Sequence, residues 1–219
     1  THYTDNKAGS GYTYYYKVKA LAANGAESDY SAVVAGICHC AKPTVKATYM
    51  GASGKPYIKW NTVANASKYE VYRATTKSGT YTLLGTTTAT HYTDNKAGSG
   101  YTYYYKVRAI SKVKSTANSV FSVPVAGICH CAKPTVKITT SAGKPKLTWN
   151  AVAGASKYYI YRSTEANGTF EHLYSTKNLF YTNKSAVAST TYYYKVKAVS
   201  KVKSSANSVF STVVSIRVR

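Results

Sequence analysis

The chain has 219 residues, carries 29 Lys and Arg against 7 Asp and Glu for a formal net charge of +22, and holds 24 Tyr but a single Met. A hydrophobic share of 44% is that of an ordinary globular chain and argues against disorder. Seven scattered acids, with no G-x-S-x-G, P-loop or H-E-x-x-H run, count against the common hydrolytic and phosphoryl-transfer sites, and no apolar stretch approaches the roughly 18 residues of a membrane-spanning helix.

Repeats dominate the organisation. THYTDNKAGSGYTYYYKV at 1–18 returns unchanged at 90–107, an offset of 89; Trp60 returns as Trp149, and SKYEVYR at 67–73 as SKYYIYR at 156–162. GICHCAKPTVK occurs at 36–46 and 127–137. A unit of about 90 residues is therefore present about two and a half times, opening in mid-unit, so the chain reads as a piece of something larger. Its expected domains are 1–40 (the later part of a repeat), 41–131 and 132–219 (each a complete repeat).

Taken in order, the elements of one unit are the short strands PTVKAT, PYIKWN, KYEVYRA, TYTLLGTT, HYTD, YTYYYKVRAI and SVFSVPVAG, parted by GASG, KSG and NKAGSG turns. Evenly spaced short strands with Gly/Asn/Ser turns predict an all-β sandwich. Along YTYYYKVRA, period two places Tyr103, Tyr105, Val107 and Ala109 on the core face and Tyr104, Lys106 and Arg108 on the other.

With the strand B Trp (Trp60, Trp149), the K-Y-x-[VI]-Y-R run and the T-Y-Y-Y-K-V-[KR]-A run, the pattern resembles bacterial fibronectin type III repeats, as found in surface and secreted proteins of anaerobic Gram-positive bacteria. The resemblance implies tandem immunoglobulin-like β-sandwiches, with Tyr14, Tyr103 and Tyr192 as tyrosine corners. It says little about a ligand, because one fold serves many tasks.

Two features are candidate sites. The first is Cys38-His39-Cys40 and Cys129-His130-Cys131, each at a join between units. A local disulfide, packed thiols, a metal and an intermolecular crosslink all remain open here, though three adjacent ligands chelate poorly and alternate cysteines on a strand bridge only under strain. The second is an outward stripe, Tyr15/Lys17/Lys19, Tyr104/Lys106/Arg108 and Tyr193/Lys195/Lys197, joined by Glu70 and Tyr72 or Tyr159 and Tyr161 from the neighbouring strand. Such a face suits sugars or anionic polymers, or simply stabilises the sheet. The SKVK copies (Lys112/Lys114, Lys201/Lys203) divide likewise between turn and ligand patch.

The expectation is a non-enzymatic extracellular module, secreted or wall-attached, with no cofactor. It would act in adhesion by contacting host protein or an anionic glycan such as a cell-wall polymer, mucin or a sulfated glycan. A passive stalk holding other domains off the wall is the alternative. No motif for specific nucleic-acid recognition is present. Self-association through the incomplete first repeat is a further possibility.

Overall fold

The computed structural model describes all 219 residues. The first repeat supplies a two-stranded sheet of β1 (Thr13–Tyr16) and β2 (Val34–Ile37). The second supplies β3 (Val45–Tyr49), β4 (Pro56–Trp60), β5 (Ala66–Ala74), β6 (Thr82–Thr87), β7 (His91–Thr93), β8 (Thr102–Ser111) and β9 (Val125–Ile128). The third supplies β10 (Val136–Ser141), β11 (Lys144–Trp149), β12 (Ala155–Ser163), β13 (Glu171–Thr176), β14 (Phe180–Thr182), β15 (Thr191–Ser200) and β16 (Val214–Arg217).

Sheet order is the same in both later repeats: β3-β4-β7 with β6-β5-β8-β9, then β10-β11-β14 with β13-β12-β15-β16. A three-stranded and a four-stranded antiparallel sheet in this order make tandem fibronectin type III sandwiches. No helix is long and apolar enough to cross a membrane.

The chain packs as two compact units, residues 1–46, 59–92 and 105–125 in one, and 47–58, 93–104 and 126–219 in the other. In the first, Trp60 packs edge-on to Tyr69 with ring centroids 5.3 Å apart, and Val71, Tyr105, Val107 and Ala109 are fully buried. In the second, Leu147 and Trp149 from one sheet meet Tyr158, Ile160, Tyr194 and Val196 from the other in a single core. The alternation expected along β8 holds from Tyr105 on, with Tyr105, Val107 and Ala109 buried and Tyr103 half-buried at the strand's start; along β15, Tyr192, Tyr194, Val196 and Ala198 are buried.

The tyrosine corners form in all three repeats. Each hydroxyl accepts the backbone N–H five residues upstream: Gly9 to Tyr14 at 2.7 Å, Gly98 to Tyr103 at 3.1 Å and Val187 to Tyr192 at 3.1 Å. The last strand is shorter than the sequence predicts, because only the final three residues of SVFSVPVAG fall in the regular strand Val125–Ile128. Ahead of it, side-chain oxygens replace carbonyls as acceptors: Ser122 Oγ takes the Val107 N–H at 3.0 Å and Ser119 Oγ takes the Ala109 N–H at 2.8 Å. Ser211 and Ser208 repeat the arrangement on Val196 and Ala198 at 3.0 and 2.8 Å. The segment is thus pinned to the sheet without a regular ladder.

In the first repeat, β1 and β2 leave Val18, Val33 and Val34 exposed. A groove of about 800 Å³ opens beside them, lined by Tyr3, Asp5, Tyr16, Ile37 and Cys38 among others. The self-association expectation falls on this surface.

Candidate functional site

The Cys-His-Cys runs sit where extended chain passes from one repeat to the next, and each run is stitched to both. In the first unit, Cys38 exchanges backbone hydrogen bonds with the first repeat (Gly11 N to Cys38 O at 2.6 Å, Cys38 N to Tyr12 O at 3.0 Å), and Cys40 N donates to Ala117 O at 2.9 Å. In the second unit the same bonds recur: Gly100 N to Cys129 O at 2.7 Å, Cys129 N to Tyr101 O at 3.0 Å and Cys131 N to Ala206 O at 2.8 Å. The middle histidine points sideways and donates from Nδ1 to a carbonyl, His39 to Asn118 at 3.1 Å and His130 to Asn207 at 3.2 Å. His130 also stacks on Tyr49, with centroids 3.8 Å apart.

Around these stitches the packing is equally repetitive. Gly11 lies against Val113 and Gly100 against Val202, so closely that an added Cβ would stand 2.7 Å or 2.5 Å from the valine Cγ2. Lys114 donates to Thr13 Oγ1, and Lys203 to Thr102 Oγ1. One lysine of each SKVK run is therefore a joint residue, while Lys112 and Lys201 face solvent.

The thiols do not gather. All four cysteines are free; Cys38 Sγ points to Ala8 O at 3.3 Å, and Cys129 Sγ to Ala97 O at 3.5 Å. Cys131 belongs to the core of the second unit. Burial pushes the Cys40, Cys129 and Cys131 thiols up from their ordinary value, which keeps them protonated and slow to react. No group of three or more His, Cys, Asp or Glu is placed to hold a metal ion. Each run is thus hydrogen-bonded through its backbone to both neighbouring repeats, with its thiols unpaired.

In the third repeat, register sets Tyr161 opposite Lys195 and Tyr159 opposite Lys197, so Tyr and Lys stand side by side on neighbouring strands. What the sequence reading missed is the ring that closes over each lysine. Lys17 Nζ lies 3.9 Å from the Tyr30 centroid, Lys106 4.1 Å from Phe121 and Lys195 4.4 Å from Phe210. A second ring flanks the latter two, Tyr81 at 4.4 Å from Lys106 and Phe170 at 4.2 Å from Lys195.

Most of the remaining charged groups and the neighbouring-strand tyrosines are also engaged. Arg108 Nε donates to Glu70 Oε2 at 2.8 Å, and Tyr72 Oη donates to the same oxygen at 3.0 Å. Lys19 pairs with Glu27, and Lys197 lies 5.2 Å from Phe210. Tyr72 and Tyr161 each pack edge-on to Phe121 or Phe210 with centroids 5.0 Å apart. Tyr104 and Tyr193 are half-buried, and Tyr15 is 73% exposed. One signal in the sequence marks the missed rings: Tyr30, Phe121 and Phe210 each precede Ser in the last strand region of their repeat.

A lysine between two rings gains cation–π attraction of about 0.5–1 kcal/mol at such partly exposed sites. Lys195→Gln is accordingly expected to lower the urea-unfolding stability of the third repeat by about that much, whereas Lys201→Gln should move it by less than about 0.5 kcal/mol. Equal effects would remove the sandwich as a stabilising contact.

No protein-family model matches the chain. Over 151 residues it is 32% identical to the poly(3-hydroxybutyrate) depolymerase of Ralstonia pickettii, a match that covers 69% of this chain and 28% of that relative's length. Among solved structures, a two-domain fibronectin type III segment of chicken tenascin aligns with a TM-score of 0.49 and 11% identity, covering 80% of this chain and 98% of that one. A fibronectin-like protein from Clostridium thermocellum aligns with a TM-score of 0.34 and 27% identity, covering 40% and 90%.

Proposed function

We propose that this chain is a non-catalytic extracellular spacer, whose repeats are fixed to one another by a joint built twice from the same residues. That joint is the observation that carries the reading. Backbone stitches at Cys38/Cys40 and Cys129/Cys131, a lysine–threonine bond and a glycine–valine contact all recur. A module that only displayed a ligand face would not need its connectors ordered to this degree. The lysines that would meet an anionic ligand are largely spent on intramolecular rings and carboxylates. The match to 28% of a named depolymerase suits a module that travels with other domains.

Adhesion to host protein or anionic glycan is the second reading, favoured by the net charge of +22 and the exposed Tyr15. Such a charge draws polyanions nonspecifically over a Debye length of about 8 Å at physiological salt. Capture from host mucosal extract and bacterial wall extract, at physiological and raised salt, separates the two. The spacer reading expects diffuse capture erased by salt. A discrete protein that survives raised salt, and is lost on Lys106→Gln with Arg108→Gln, would replace it with adhesion.

A further inference from the structure

The third repeat departs from the second across β13 and β14, a region used neither by the joint nor by the lysine stripe. Gly85, Ala89, Thr90 and His91 of the second repeat correspond to Tyr174, Asn178, Leu179 and Phe180 of the third. In the second repeat the surface is closed: Tyr92 lies over Gly85 so tightly that an added Cβ would meet its Oη at 2.5 Å, and the hydroxyl reaches Leu84 O at 3.4 Å. In the third repeat Tyr174 replaces that glycine. Its ring stacks on Tyr181, the counterpart of Tyr92, with centroids 4.9 Å apart and planes 23° apart.

The result is a groove of about 530 Å³ walled by Tyr174, Asn178, Phe180, Tyr181, Lys184 and Ser185 among others. Tyr174 and Phe180 are each 50% exposed and line the same groove, so they form a joined aromatic patch rather than scattered surface side chains. Cations rim the groove. Lys184 is in its wall, Lys146 Nζ lies 5.7 Å from the Phe180 centroid, and Arg162 Nη1 donates to Ser185 Oγ at 3.3 Å. Asp94-Asn95-Lys96 of the second repeat has become Asn183-Lys184-Ser185, which removes the carboxylate and leaves a net positive charge.

We propose that this groove is a binding site for an acidic saccharide. Exposed aromatic rings offer flat apolar faces to the C–H face of a pyranose, while the Asn178 amide supplies hydrogen-bonding groups at the rim; the Ser185 hydroxyl is already engaged, donating to Asn183 Oδ1 at 2.8 Å and accepting from Arg162. Lys184, with Lys146 and Arg162 close by, selects a carboxylate over a neutral substituent. A neutral sugar would leave those charges without a partner, and an anionic polymer without rings would leave the aromatic faces unused. The inference is independent of the spacer reading: a spacer that carries one sugar contact on its third repeat remains a spacer.

The probe is hexagalacturonate, with the neutral galactose hexamer as its counterpart, titrated into the whole chain by calorimetry and followed by NMR. Hexagalacturonate is expected to bind saturably with a Kd below about 1 mM, to shift the aromatic resonances of Tyr174 and Phe180, and to bind at least about tenfold more tightly than the neutral hexamer. Tyr174→Gly and Phe180→His install the residues that the second repeat already folds with, so they test the site without demanding a new fold. Each should weaken binding at least about tenfold, while Lys106→Gln changes it less than about twofold. No saturable binding, equal affinity for the neutral hexamer, or binding that survives both groove variants and falls with Lys106→Gln would each overturn the proposal.

Discussion

Gly100→Val should release the second joint and make Cys129 and Cys131 react with a thiol reagent at least about tenfold faster than in the parent chain. Gly100 has φ +94, and a Cβ there would stand 2.5 Å from Val202 Cγ2 and 2.7 Å from its Cβ. Two costs combine. A side chain in the left-handed region costs roughly 1–2 kcal/mol, and overpacking against a fixed neighbour about 1–3 kcal/mol. The first cost is tolerable alone, since Ser189 holds φ +62 at the matching place in the third repeat. The clash with Val202 is therefore what should open the joint.

Both thiols have no exposure in the native chain, so they label through local opening, and each 1.4 kcal/mol taken from the opening free energy raises that rate about tenfold. Gly143→Val is the control. It has φ +71 with nothing within 4 Å of an added Cβ, so it carries the backbone strain without the clash and should leave the labelling of Cys129 unchanged. If Gly100→Val labels as slowly as its parent, the glycine–valine contact does not hold the joint, and the spacer reading loses its main support.

Much of this structure was legible because identical strings recur. The offset of 89 located the sandwiches, and alternation along TYYYKV assigned inward and outward faces that burial bears out at Tyr105 and Val107. Joint geometry was not legible. GSG reads as a turn, and nothing in it announces that Gly100 must admit Val202 from the following repeat, more than 100 residues away. The cation sandwiches were hidden for a related reason. Phe121 and Phe210 lie in a segment that reads as a strand but is held by serine side chains, so period-two counting does not say which way their rings point. The Cys-His-Cys run leaves several readings open at the level of sequence. Its composition suggests chemistry, whereas extended backbone carries the two cysteines toward different repeats.

Tyr194→Ala is expected to cost the third repeat about 4 kcal/mol or more, enough to unfold it at room temperature in modest urea. The ring is fully buried in the core with Leu147, Ile160 and Val196, and truncating a buried aromatic to Ala costs about 3–5 kcal/mol. The hydroxyl matters too, because it accepts from Asn183 Nδ2 at 2.7 Å, and Asn183 is itself without exposure. Tyr194→Phe keeps the ring and leaves that donor unmatched, a loss of about 1–3 kcal/mol. Adding Asn183→Leu should cost less than the two single changes together, since an apolar pair leaves no buried donor unmatched and the exposed Ser185 hydroxyl, which donates to Asn183 Oδ1, can turn to water.

A second readout comes from alkali. Burial pushes the Tyr194 phenol above its ordinary value, so below about pH 10 both folded and unfolded states keep the proton. Above that the unfolded chain releases it first, and stability falls as pH rises toward the folded pKa. Tyr194→Phe should therefore flatten part of the alkaline limb in urea titrations taken between about pH 9 and 11. The same partnership appears in the first repeat, where Tyr16 Oη donates to Asp5 Oδ2 at 3.1 Å. Asp5 and Asp94, the carboxylates of the repeated HYTD string, correspond to Asn183, whose side chain binds a core tyrosine. A chemical role for that string would require the carboxylate, and the third repeat folds around an amide in its place. Were Tyr194→Phe to cost nothing, this structural account of the HYTD aspartates would fail.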